Sequence, residues 1–367
     1  MEAAPKTSIT RQGHVTFLCF WSFVGFLIYF LYSMKLPHYY LGWIAFSISV
    51  LGVIGNDAVQ TLGTFIENKR KVPWGLKLLM FGSLFAVLYF LTWKFMGGQV
   101  DFNRLKTFPV PKTFTLFQIL CPILLVIITR FKAPVSTTFF ILSLFGGSNL
   151  ASMLTKSFTG YIIAFFISFI GYYVLVQFDP EEYHTLEKKN PVEEAFWSRF
   201  QWFTTAVLWV CWISQDSSNL AIFLPRTLEF SEVLFAISIF VLALGFVFYT
   251  GGGAIQSIIS EKKDIQSSKA ATLLDIFYAI LLLLALSYNS FPVSTTWLFL
   301  GILAGRELSL NVATAKDLPY LETFRKVGKD IFLASMGLVL SLALYYLSQH
   351  WEPKAMEIPK ILTSFSF

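Results

Sequence analysis

Long apolar runs alternate with short polar breaks along the chain, and the run lengths predict its architecture. A helix rises about 1.5 Å per residue, so about 20 apolar residues cross a hydrocarbon layer about 30 Å thick. Runs of that order lie at Val15–Met34, Trp74–Met96, Phe114–Phe131, Phe158–Val176, Val233–Phe248, Thr272–Leu286 and Ile331–Leu347. Each is predicted to be a transmembrane helix. No small-x-small cleavage site follows Val15–Met34, so residues 15–34 are read as an extra N-terminal helix, not a signal peptide.

Four other runs are too short. Leu41–Gly55 and Phe200–Ser214 have 15 residues each, which cover only about 22 Å as helix. The first runs into Asn56-Asp57-Ala58-Val59-Gln60-Thr61, the second into Gln215-Asp216-Ser217-Ser218-Asn219. Those polar segments are therefore expected at membrane depth. Pro134–Phe145 and Pro292–Ala304 open with proline, carry hydroxyls and are also too short to span. They are predicted to be re-entrant half-helices. Asp179–Arg199 and Arg306–Asp330, both rich in charge, are read as loops.

Composition supports this picture. The chain is 55% hydrophobic and 14% charged, against about 25% charged in soluble domains. A water-soluble surface is excluded. The net charge of +6 could suggest nucleic acid. The basic residues, however, sit between apolar runs, as in Glu67-Asn68-Lys69-Arg70-Lys71, where a positive-inside bias puts them. Cys19, Cys121 and Cys211 are isolated within apolar runs, and the histidines lack ligand spacing. No redox pair or Cys/His metal site is expected.

An internal repeat carries the most information. Pro134-Val135-Ser136-Thr137-Thr138 recurs 158 residues later as Pro292-Val293-Ser294-Thr295-Thr296, and Gly147 maps to Gly305 at the same offset. Asp57 maps to Asp216 at 159, within the shared pattern Asn/Gln-Asp-x-x-Gln/Asn. From Asp57 to Pro134 is 77 residues, and from Asp216 to Pro292 is 76. Matching Gly251-Gly252-Gly253 to the first polar break would destroy that spacing, so this turn is paired with Gly97-Gly98 instead. The predicted organisation is one transmembrane domain, 1–367. It holds repeat 1 at 39–178, a polar connecting loop at 179–199, and repeat 2 at 200–349. Duplicated halves with interrupted polar helices point to a transporter binding site.

The repeated residues suggest a chemistry. Proline suits the first turn of a helix, and Ser and Thr suit its start. Free backbone N–H groups and the helix dipole favour an anion there. Two such half-helices would cradle an oxyanion through Ser136, Thr137, Thr138, Ser294, Thr295 and Thr296. Packing through small hydroxyl residues is the structural alternative. Asp57 and Asp216 are intramembrane carboxylates, functional by default. Beside an anion they require cations or protons. With Asn56, Gln60, Gln215 and Asn219 they form a hard-oxygen set suited to sodium, and the amides can also donate to the anion. Asp-x-x-Gln/Asn spacing puts both side chains on one helix face. Two membrane aspartates would also suit an intramembrane aspartyl protease, but that chemistry has no use for twin Ser-Thr-Thr segments. A sensor that binds without transporting is a third class.

These motifs resemble those of the inorganic phosphate transporter (PiT) family, which has a duplicated Gly-x-Asn-Asp-x-x-Asn signature and a duplicated Pro-x-Ser-Thr-Thr segment. The resemblance runs from about Leu41 to Leu347. It implies an all-α polytopic membrane protein with two inverted-topology repeats and broken or re-entrant helices. It also implies a homodimer in a plasma or inner membrane, and symport of phosphate with sodium, or with protons in some members, without a bound cofactor. Phosphate would meet Ser136, Thr137, Thr138, Ser294, Thr295, Thr296, Gln60 and Asn219; sodium would meet Asp57, Asp216, Asn56 and Gln215. Phe139 and Trp297 stand where the family often has histidine, and Gln60 and Gln215 replace asparagines. Sulfate is therefore kept beside phosphate as the anion.

Overall fold

The computed structural model describes residues 11–146, 150–178, 191–253, 256, 267–288, 294–314 and 320–350. The described residues fold into helices connected by turns and loops. In chain order the longer helices are α1 (Arg11–Ser33), α2 (His38–Val53), α3 (Val59–Asn68), α4 (Trp74–Phe95), α5 (Leu116–Arg130) and α6 (Leu150–Phe178). They continue with α7 (Pro191–Trp212), α8 (Phe230–Thr250), α9 (Ser268–Tyr288), α10 (Thr295–Thr314) and α11 (Tyr320–His350). Seven segments are long and apolar enough to cross a membrane, with α2 and α3 counting as one continuous span from His38 to Asn68. The protein is an integral, multi-pass membrane protein.

Local chemistry sets the helix ends. Pro37 and Pro73 stand at the N-caps of α2 and α4, where a missing N–H costs nothing. A capping box opens α5: Thr115 Oγ1 accepts from the Gln118 amide, and Gln118 Oε1 accepts from the Thr115 amide. Gly98 N–H donates to the Trp93 carbonyl, and Gly252 N–H to the Val247 carbonyl. Both bonds close the preceding helix over a left-handed glycine, Gly97 at φ 63° and Gly251 at φ 71°, as a Schellman turn requires. The Gly97-Gly98 and Gly251–Gly253 turns thus end α4 and α8 alike.

Contacts fix the direction of the halves. Near the start of α2, a Cβ on Gly42 would lie 2.3 Å from the Phe223 carbonyl. At the end of α3, Lys69 donates to Ser198 near the start of α7. The two signature helices therefore run antiparallel. α4 and α8 also run antiparallel, with Trp74 against Tyr249 and Trp93 against Phe230. After α5 the chain reverses at Lys132, where φ is 62°. Residues 134–145 run back along α5: Cys121 Sγ donates to the Phe140 carbonyl at 3.0 Å and Gln118 Nε2 to the Leu144 carbonyl at 2.9 Å. This is the expected re-entrant segment, with one π-helical turn at Thr138–Leu142.

Four expectations need correction. Residues 191–199, read as part of the connecting loop, are the first turns of α7; residues 179–190 lie outside the described set. Phe114–Phe131, read as a span, is the 15-residue helix α5 and is not among the seven spans, whereas Leu41–Gly55, too short alone, continues through a π-helical turn, Ile54–Ala58, into the span His38–Asn68. Arg306–Asp330 is not one charged loop, because α10 continues to Thr314 and α11 begins at Tyr320. Arg306 is buried there under the Tyr172 ring, 5.4 Å from its centroid. This cation–π contact, with the ion pair from Arg306 Nη1 to Glu307 at 3.5 Å, lets α10 keep a charge that sequence reading places in a loop.

Candidate functional site

Both polar breaks are π-helical turns, Ile54–Ala58 and Ile213–Ser217. A π-turn leaves a local irregularity in the i→i−4 ladder, and such bulges recur at functional sites. Asn56, Asp57, Gln60, Gln215, Asp216 and Asn219 are all buried, with Asp57 1% exposed and Asp216 0%. Ser136, Thr137, Thr138, Ser294, Thr295 and Thr296 are buried beside them. Pro292 and Val293 lie outside the described residues, as does Gly147.

The structure joins nine of these side chains by hydrogen bonds, in a pattern that repeats between the halves. In the first half Thr137 Oγ1 donates to Asp57 Oδ2 at 2.5 Å. In the second, Thr295 Oγ1 donates to Asp216 Oδ2 at 2.6 Å. Each aspartate thus takes the middle hydroxyl of its own Ser-Thr-Thr segment. The last threonine crosses over. Asn219 Nδ2 donates to Thr138 Oγ1 at 3.2 Å, and Gln60 Nε2 donates to Thr296 Oγ1 at 3.4 Å. Thr296 Oγ1 can in turn give its proton to Asp57 Oδ1, at 3.4 Å, or to the Val135 carbonyl, at 3.2 Å. Gln60 and Asn219 also reach back to their own aspartates, at 3.4 and 3.3 Å. This is what the Asp-x-x-Gln/Asn spacing predicts on a helix.

The symmetry is incomplete. Asn56 grips the re-entrant backbone: its Nδ2 donates to the Val135 carbonyl at 2.5 Å, and its Oδ1 accepts from the Val135 amide at 3.3 Å. Gln215, its counterpart, donates instead to the Leu282 carbonyl on α9 at 3.1 Å. Ser136 and Ser294 do not join the network. Ser136 Oγ accepts from the Phe139 amide and Ser294 Oγ from the Trp297 amide, so both cap the turns that follow them.

Two electrostatic features bear on what the site can hold. Asp57 lies within repulsive reach of the Asp216 charge. Gln60 Oε1, Gln215 Oε1 and Asn219 Oδ1 are buried acceptors without a donor among the described residues. Unpaired buried oxygens are costly, and with two carboxylates they make an acceptor-rich centre that a desolvated cation would satisfy.

Sequence reading missed two charged groups. Asp275, on α9, accepts from Thr64 on α3 at 2.8 Å and from Thr205 on α7 at 2.5 Å. A lone acid inside the run Thr272–Leu286 was the signal that could have found it. Arg104, in the loop between α4 and α5, is buried and within electrostatic reach of Asp216. A basic residue in a loop gave no such signal.

Fold and site together define a multi-pass helical membrane protein with interrupted helices and a buried polar centre. No protein-family model matches the chain, and no curated protein matches it in sequence. Among solved structures, the chain is similar to one described as "The sodium-dependent phosphate transporter". The match covers 84% of this chain and 98% of that one, with a TM-score of 0.57 and 16% sequence identity. The likeness is one of fold, and it agrees with the PiT resemblance carried by the motifs.

Proposed function

We propose that the protein is a secondary active transporter of an inorganic oxyanion, phosphate first, driven by sodium and working by alternating access. One observation carries this reading: two antiparallel half-sites are joined by threonine hydroxyls that serve two aspartates. The similar solved structure is named for phosphate and sodium, and the donor set here suits both.

The hydrogen-bond directions suggest how the ions are coupled. Thr137 and Thr295 direct their protons to Asp57 and Asp216. A hydroxyl has one proton, so it cannot also donate to an anion. Sodium on the aspartates, with the orphaned Gln60, Gln215 and Asn219 oxygens, would replace those protons as the carboxylates' partner. The hydroxyls could then turn to the oxyanion, together with Thr138 and Thr296. Cation binding would thus create the anion's donors and offset the carboxylates' repulsion. Ser136 and Ser294 would act by fixing the turns that present the threonines.

The test is uptake of labelled phosphate into proteoliposomes. An inward sodium gradient should drive it, and Asp57→Asn should abolish it. Uptake indifferent to both would refute the mechanism. Sulfate competing better than phosphate would reassign the anion, and uptake driven by a proton gradient without sodium would reassign the coupling ion. The protease reading lacks support, because each aspartate holds a threonine hydroxyl where a catalytic dyad needs a shared proton and a water.

A further inference from the structure

The loop between α4 and α5 holds a cation that the coupling scheme does not use. Arg104 is 6% exposed, and its Nε and Nη2 have no hydrogen-bond partner among the described residues. Burial pulls its pKa down to about 10, with the Asp216 charge opposing, so it remains a cation at neutral pH. A buried, unpaired guanidinium is expensive. Two features show that the chain maintains it.

First, the loop is strained to place it. Phe102 and Asn103 both adopt left-handed φ, 51° and 61°, which is costly for a residue with a bulky side chain. The strain is held by Asp101, whose carboxylate accepts from the Asn103 amide at 3.1 Å and the Leu105 amide at 3.2 Å. Leu105 and Phe108 anchor the loop in the main core. Arg226 clamps it by donating Nη2 to the Phe108 carbonyl at 3.0 Å. Strain that its surroundings enforce is a mark of function. Second, the nearby acid is already engaged. Asp101 faces backbone amides. Asp216, whose charge Arg104 senses, accepts from Thr295 and Asn219. Among the described residues no hydrogen bond joins Arg104 to either carboxylate. The fork is left with two aligned donors and nothing to receive them.

We propose that Arg104 is an anion-recognition residue: its Nε and Nη2 fork grips two oxygens of the tetrahedral oxyanion on the Asp216 side of the site. Guanidinium suits that geometry, whereas an ammonium offers only a point charge. The inference rests on the oxyanion-transport reading and adds to it a donor outside both repeated motifs. It also supplies the positive charge that the duplicated hydroxyls and amides lack.

Arg104→Gln and Arg104→Lys are compared with wild type in proteoliposomes, using labelled inorganic phosphate and sulfate. Half-saturating sodium is measured in parallel. Arg104→Gln should raise KM for the anion by about tenfold or more, the effect of losing a hydrogen bond to a charged group. Arg104→Lys should fall between, since it keeps the charge and loses the fork. Half-saturating sodium should stay within about twofold in both. An unchanged anion KM in an active Arg104→Gln protein overturns the assignment alone. So does a defect confined to sodium, which would make Arg104 a counter-ion of Asp216. If Arg104→Gln is not monodisperse, Arg104→Lys decides: a raised anion KM supports the assignment and a wild-type one overturns it. Wild-type protein that carries neither anion would overturn the transport reading and this assignment with it.

Discussion

Thr137 and Thr295 each meet one aspartate, and their equivalence makes a sharp test at the level of single residues. Valine keeps the branched shape of threonine and removes the hydroxyl. Thr137→Val should raise KM for the transported anion about tenfold or more, because a hydrogen bond to a charged group contributes about 1.5–3 kcal/mol. Thr137→Ser, which restores the donor, should return it to within about threefold of wild type. Valine transporting at wild-type affinity would remove the hydroxyl from the mechanism. Most of the site was readable at this scale. A carboxylate flanked by amides and a Ser-Thr-Thr run recur at matched spacing, and two copies of a costly feature seldom arise from packing alone. The role of each hydroxyl was not readable. Ser136 and Ser294 look like ligands in the sequence, yet they cap turns. Which of three consecutive hydroxyls meets an aspartate depends on how the segment packs against the signature helix, and composition does not encode it.

Helix by helix, close backbone contact replaces the hydrophobic effect that would drive packing in water. Gly301 and Gly305 sit one turn apart on α10, and added Cβ atoms there would come within 2.5 Å of the Tyr161 carbonyl and 2.2 Å of the Phe165 carbonyl on α6. Neither carbonyl can move without its helix. Gly305→Ala should therefore lower thermal stability in detergent by about 1–3 kcal/mol. Gly75→Ala, with nothing within 4 Å of the new methyl, should be neutral or mildly stabilising. Equal melting temperatures for the two variants would refute the close-packing account. The Asp275 clasp belongs to this scale as well. It ties α3 to α7 and α9 through two hydroxyls, and Thr64 lies about two turns beyond Asp57. Asp275→Asn keeps one acceptor oxygen, so it should cost about 1–3 kcal/mol of stability and leave the anion KM unchanged. A shifted KM would place Asp275 within the ion pathway. Most spanning helices were legible because apolar length identifies them, but Phe114–Phe131 folds as a 15-residue helix outside the seven spans, and Leu41–Gly55 spans only by continuing into α3. The extent of α10 was not, because Arg306 is buried against Tyr172 and only the folded partner reveals why its charge is tolerated.

At the scale of the whole molecule, contacts between the halves lie at both ends of the signature helices, and Asp57 and Asp216 are buried between them, 1% and 0% exposed. At one end Tyr39 on α2 donates to Glu232 on α8 at 2.5 Å, with Trp43 against Phe235 beneath at 5.3 Å. At the other, Lys69 donates to Ser198 and Asn68 to the Ser267 carbonyl. Both joints link the first half of the chain to the second, so the proposed alternating access would require each to open in turn. Tyr39→Cys with Glu232→Cys, built on a Cys19→Ser background to remove the exposed native thiol, places two thiols across the first joint. Bridging them with a short bis-methanethiosulfonate should stop uptake, and a reductant should restore it. The same pair left unbridged should transport, because a surface hydrogen bond of this kind contributes only about 1 kcal/mol. Full uptake with the bridge demonstrably in place would mean that α2 and α8 move as one body. The opening would then have to lie elsewhere, and the α4–α5 loop carrying Arg104 would be the next joint to bridge.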